Sequence, residues 1–206
     1  MPLKDQLTRI ALNLTLLVFV LAALFFNPDS VPAMGNAESA LPNFADFVQQ
    51  VQNGEANVLR GVYVSDVLAL PVAQQPEDDP NYVSSNDREA TQFSTASQYQ
   101  NVGLLAHNNL SGKVFSQLAV GQEIRLAYGD GKVENFIVTE ILHFQALQPK
   151  SVSSAFRSVN GDEVLSAQQM FNRVYSGARH VTFQTCIKAN GNWNWGQLFV
   201  VAMPIP

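Results

Sequence analysis

From Val58 onward the apolar side chains recur in short alternating or continuous runs: NVLRGVYV, DVLALPVA, NVGLLAH, EIRLAYG, ENFIVTEILHFQAL, RHVTFQTC and GQLFVVAMP. Each run is bounded by turn residues, the pattern of strands in a mostly β domain. Asp130-Gly131, between LAYG and KVENF, predicts a local hairpin. Ahead of the strands, Phe44, Phe47, Val48 and Val51 fall at helical spacing and predict one short amphipathic helix. Two polar stretches interrupt the strands. Gln74 to Gln100 has little periodicity and reads as a surface excursion with one helical turn. Pro149 to Arg179 carries Val164, Gln168, Phe171 and Val174 near helical spacing after Ser-Val-Asn-Gly-Asp, which predicts a second short helix with a capped start.

At the other end, Ile10 to Phe26 (IALNLTLLVFVLAALFF) is apolar with no charged side chain inside it. At about 1.5 Å per residue it spans roughly 25 Å, the short limit for a bilayer crossing. A signal anchor is favoured over a cleaved signal peptide because the apolar run is long and the small-x-small sites after it are imperfect. Lys4 and Arg9 precede the run, so the positive-inside bias places residues 1–9 in the cytoplasm and the bulk of the chain outside the cell membrane. Residues 27–57 then read as a Pro/Gly/Ala/Asn-rich linker with the short helix, and residues 58–206 as the β domain.

Composition narrows the function classes. Hydrophobic residues make up 47% of the 206 and charged residues 14%, so the chain can build a core and is not disordered. A net charge of −5 without a basic run argues against nucleic acid as a partner. Glu77-Asp78-Asp79 lacks the alternating Asp/Asn loop of a calcium site and reads as a solvated loop, so no metal or cofactor is expected.

The single cysteine, Cys186, cannot form an internal disulfide; it is a buried thiol, an intermolecular bridge or a nucleophile. It ends the run RHVTFQTC, with His180, Thr182 and Gln184 on its face and Val181, Phe183 and Thr185 on the other. An unpaired thiol facing the cell envelope is open to oxidation, which favours a chemical role. His107 follows the apolar strand VGLLA and could pair with a thiol. His143 alternates with Ile137 and Ile141 and reads as structural, while His180 lies about 20 Å along the strand from Cys186. Trp193 and Trp195, in NGNWNWGQL, either bind peptide or glycan or close a hydrophobic barrel end.

GLLAHNNLSGKVFSQLAVGQEIRLAYGDGKVENFIVTEI carries a His after an apolar strand, then Phe115, Leu118 and Gly121; VTFQTC is a strand ending in Thr-Cys, and WNWGQLFVVA leads into an aliphatic last strand. These three segments resemble, in the same order, the central segment, the Thr-Cys strand and the last strand of the sortase family. The resemblance covers roughly Val58 to Pro206. It implies an all-β fold, an eight-stranded β-barrel with short helices, carried behind an N-terminal transmembrane helix. It also implies a cysteine transpeptidase: the Cys186 thiolate attacks the Thr carbonyl of a Leu-Pro-x-Thr-Gly-like sorting signal on a secreted protein, and His107 serves as acid and base. The acyl group then passes to an amine on cell wall or another protein. The family's arginine, early in the last strand, has no counterpart here, where Gly196 and Gln197 stand. Three readings stay open: Gln197 takes the role, Arg173 or Arg179 supplies the cation from another element and touches substrate, or the barrel has lost efficient catalysis and binds peptides or partners. A cysteine hydrolase that uses water is a further alternative.

Overall fold

The computed structural model describes residues 41–151 and 153–206, so the apolar stretch 10–26 lies outside the described residues. Among the described residues no helix is long and apolar enough to cross a membrane. The first element is helix α1 (Phe44–Val51), capped by Asn43, whose side chain accepts from the Asp46 N–H and whose helix buries Phe47. The strands follow as β1 (Leu59–Val64), β2 (Leu68–Gln74), β3 (Ala90–Phe93), β4 (Val102–Leu105), β5 (Glu123–Tyr128), β6 (Val133–Ala146), β7 (Phe156–Ser158), β8 (Val164–Leu165), β9 (Val181–Ala189) and β10 (Asn192–Pro204). Three more helices interrupt them: α2 (Ser94–Ser97), α3 (Gly112–Phe115) and α4 (Ala167–Tyr175).

The sheet runs β10-β9-β4-β3-β2-β1-β5-β6, and β6 pairs with β10 again, which closes a barrel of eight strands. The expected eight-stranded barrel with short helices is therefore present, while β7 and β8 extend β6 outside the ring. The alternating runs each supply one strand, and the Asp130-Gly131 hairpin joins β5 to β6. The eighth barrel strand, β3, comes from within the first polar excursion, where the sequence predicts only a surface loop with a helical turn. Its residue Thr91 is fully buried because its hydroxyl accepts from the Ser84 N–H at 2.8 Å. The second excursion also differs from expectation: Val164 belongs to β8, and the α4 cap is Ser166, in a reciprocal capping box with Gln169.

Alternation along the strands sends one set of side chains inward. Val62, Leu104, Phe115, Ile124, Leu126, Phe183 and Val200 fill the barrel. The outward set of β6, β9 and β10 is covered by α4 and β7–β8 in a second cluster that holds Phe144, Met170, Val174, Tyr175 and Phe199. His143 lies within β6 opposite Leu198, with its side chain exposed. At the start of β9, Arg179 pairs with Glu134 and donates to the Tyr128 hydroxyl and the Gln100 carbonyl. Burial pushes the Glu134 carboxyl up, but hydrogen bonds from Lys132, Arg179 and Tyr128 outweigh it and bring the pKa from 4.5 down to about 2. A carboxyl lowered in the folded state contributes its full stability above the unfolded value and loses it as pH falls toward the folded one. Thermal melts are therefore expected to lose Tm between pH 4.5 and about 2, and Glu134→Gln to flatten that part of the profile; an unaltered slope in the variant contradicts this assignment.

Candidate active site

Cys186 does not end its strand: β9 runs on to Ala189, whereas the neighbouring β4 stops at Leu105. The two strands are parallel, with Leu104 opposite Phe183 and Leu105 opposite Gln184. Two further bonds carry the pairing past the end of β4: the Ala106 N–H donates to the Gln184 carbonyl at 3.3 Å and the Thr185 hydroxyl to the Ala106 carbonyl at 2.8 Å. His107 is the second residue past the last paired position of β4, as Cys186 is the second past its partner position on β9, Gln184. His107 is exposed, and among the described residues its ring makes no hydrogen bond with the thiol.

Helix α3 fixes the chain where it leaves β4. The Gly112 N–H donates to the His107 carbonyl at 2.9 Å. A Cβ at Gly112 would stand 2.2 Å from the Thr185 Oγ1, 2.6 Å from the His107 carbonyl oxygen and 2.7 Å from that of Ala106. Only glycine permits this approach, because two of the three atoms are backbone. Gly112→Ala is expected to cost about 1–3 kcal/mol of stability, checked by urea unfolding; a variant as stable as the parent contradicts this packing account.

On the other side of the thiol, Gln197 of β10 is the direct cross-strand partner of Cys186. Its Nε2 donates to the Cys186 Sγ at 3.7 Å. Burial pushes the thiol pKa up, and the Gln197 hydrogen bond pulls against that shift. The turn between β9 and β10 is Asn190-Gly191, both with positive φ (51° and 75°), as a tight hairpin requires. The Asn-Gly pair opens the stretch NGNWNWGQL and stands between two alternating runs, the sequence signal of such a hairpin. Across the turn, Lys188 of β9 lies 3.5 Å over the Trp193 ring of β10, and Asn108 donates to the Trp193 carbonyl at 3.0 Å, tying the hairpin to the loop after His107. Trp195 is on β10 itself, half-buried, two residues before Gln197, and belongs to neither hydrophobic cluster.

The structure thus brings Cys186, His107 and Gln197 to one edge of the barrel and does not bring Arg173 or Arg179 there. Arg173, on α4, pairs with Glu140 of β6. Arg179 is held by Glu134 at the opposite end of β9, about 20 Å along the strand from the thiol.

Fold and site together define a closed eight-stranded β-barrel with a thiol, an imidazole and an amide donor where β4 parts from β9. Solved structures to which the chain is similar are sortases. Sortase C-1 from Actinomyces oris is 12% identical, with 82% of this chain and 84% of that one covered and a TM-score of 0.49. Sortase A of Listeria monocytogenes is 15% identical over 72% of this chain and 88% of that one, TM-score 0.45. The pilus-related sortase C of Group B Streptococcus is 15% identical over 74% and 70%, TM-score 0.46. No family model matches the chain, and no curated protein matches it.

Proposed function

We propose that this chain is a sortase-like cysteine transpeptidase, anchored in the cell membrane by residues 10–26 with its barrel outside. It cleaves a C-terminal sorting signal of secreted proteins and transfers the acyl group to an amine. The observation that supports this reading is the closed eight-stranded barrel in which β4, followed by His107, runs parallel to β9, which carries Cys186, with Gln197 of β10 donating to the sulphur.

The chemistry follows from those three groups. His107 takes the thiol proton, and the Cys186 sulphur attacks the peptide carbonyl to form a carbon–sulphur bond. The charge that develops on the carbonyl oxygen is stabilised by donors aimed at it, among them the Gln197 N–H. As the carbon–nitrogen bond breaks, the His107 imidazolium returns its proton to the departing amine and leaves a thioester. An incoming amine then attacks the thioester carbon, gives its proton to His107 and expels the thiolate. Trp195, beside Gln197 on the same strand, is placed to contact the bound peptide.

A second reading is a barrel that binds peptides with little turnover. It is favoured by where the two candidate arginines lie, since Arg173 and Arg179 are paired with Glu140 and Glu134. Incubation with a Leu-Pro-x-Thr-Gly peptide, with and without an added amine, separates the readings. Transpeptidation predicts an amine-linked product, whereas hydrolysis alone or the intact peptide contradicts it.

A further inference from the structure

The Gln197 amide does not meet the sulphur by itself; it is the last link of a three-bond chain that begins in the second hydrophobic cluster. The Tyr175 hydroxyl donates to Gln184 Oε1, the Gln184 Nε2 donates to Gln197 Oε1 at 3.2 Å, and the Gln197 Nε2 donates to Cys186 Sγ at 3.7 Å. An amide can turn end for end, so on its own Gln197 could face the sulphur with either its NH₂ or its carbonyl oxygen. The whole chain could run backwards, with the thiol donating to Gln197, Gln197 to Gln184 and Gln184 to the phenol oxygen.

The buried end sets the direction. Tyr175 is only 3% exposed, and among the described residues its hydroxyl has Gln184 Oε1 as its hydrogen-bond partner. Were the chain reversed, the phenol O–H would be buried without an acceptor, which costs about 1–3 kcal/mol. Burial also pushes the phenol pKa up, so it keeps its proton and remains a donor. Nor can the ring move aside. Gly103 of β4 leaves room for it, since a Cβ there would lie 3.0 Å from Tyr175 Cε1. Phe93 and Phe171 pack on the ring with centroids 5.2 and 5.4 Å away. The carbonyls at the end of α4 are also clamped: Asn101 donates to the Tyr175 carbonyl at 2.9 Å and Thr182 to that of Val174 at 2.6 Å, while a His180 ring nitrogen lies 2.9 Å from the latter.

We propose that Tyr175 and Gln184 are positioning residues that orient the Gln197 amide, so that it presents its N–H and not its carbonyl oxygen to Cys186. The consequence is selective stabilisation of the thiolate over the thiol. The proposal rests on Cys186 as the reactive group, and it is tested without turnover, by the rate of thiol alkylation with iodoacetamide against pH in the full chain. Tyr175→Phe keeps the ring and removes the donor. It is expected to lower the alkylation rate at pH 7 about tenfold, by moving the thiol titration upward while the plateau rate at high pH stays the same. Gln184→Met, which breaks the chain one link later, is expected to do the same. In a Gln197→Leu background both effects vanish, because there is no amide left to orient. A tenfold effect that persists in the Gln197→Leu background, or no effect of either variant, overturns the relay. Failure of peptide transfer with an intact relay signature instead counts against the transpeptidase reading alone.

Discussion

Replacing Cys186 with alanine is expected to abolish acyl-enzyme formation and leave the fold in place. The side chain belongs to neither hydrophobic cluster and is only half-buried, so its loss opens no cavity in the barrel interior. The cross-strand ladder of β9 with β10 is made by the backbone and persists. What disappears is the one thiol of the chain, the group that forms the thioester in the proposed mechanism, and no second cysteine can substitute for it. Stability is expected to change by less than about 1 kcal/mol, read as urea unfolding beside the product assay. A stable Cys186→Ala chain with full activity would sink the mechanism.

His107→Ala is the second large effect. Its ring is exposed and makes no hydrogen bond among the described residues, so its removal is expected to shift stability by no more than about 0.5 kcal/mol. In the proposed mechanism its loss removes the acceptor of the thiol proton and the donor to the departing amine, a contribution of about 10²–10⁴ in rate. The Gln197 donor remains in this variant and sustains residual thioester formation. A loss of transfer rate below about tenfold contradicts the acid–base role, and a collapse of the fold contradicts the exposed setting described for the ring.

The strands were legible where burial is one-sided or complete, because alternation and apolar runs report it directly. Residues 90–93 escaped because Ala, Thr, Gln and Phe lie inside a polar stretch, and the burial of Thr91 is made tolerable by a hydrogen bond no periodicity reveals. Strands β7 and β8, three and two residues long, are too short to carry a period. At the site, the alternation of RHVTFQTC already placed Gln184 on the face of Cys186, so that half of the relay had a signal. Tyr175 had none, since its contact with Gln184 depends on how α4 lies across the sheet. That the strand before His107 runs beside the strand of Cys186 comes from a parallel pairing between distant segments, and spacing along the chain says nothing about such pairings. Arg173 and Arg179 were plausible sources of a cation until their carboxylate partners on β6 were seen.

The most direct test of the central claim is the intact mass of the full chain after incubation with a Leu-Pro-x-Thr-Gly peptide and no added amine. The account predicts a mass increase equal to the acyl fragment, absent in Cys186→Ala and weakened in His107→Ala. A folded wild-type chain that gains no mass, or an adduct that survives Cys186→Ala, would contradict it.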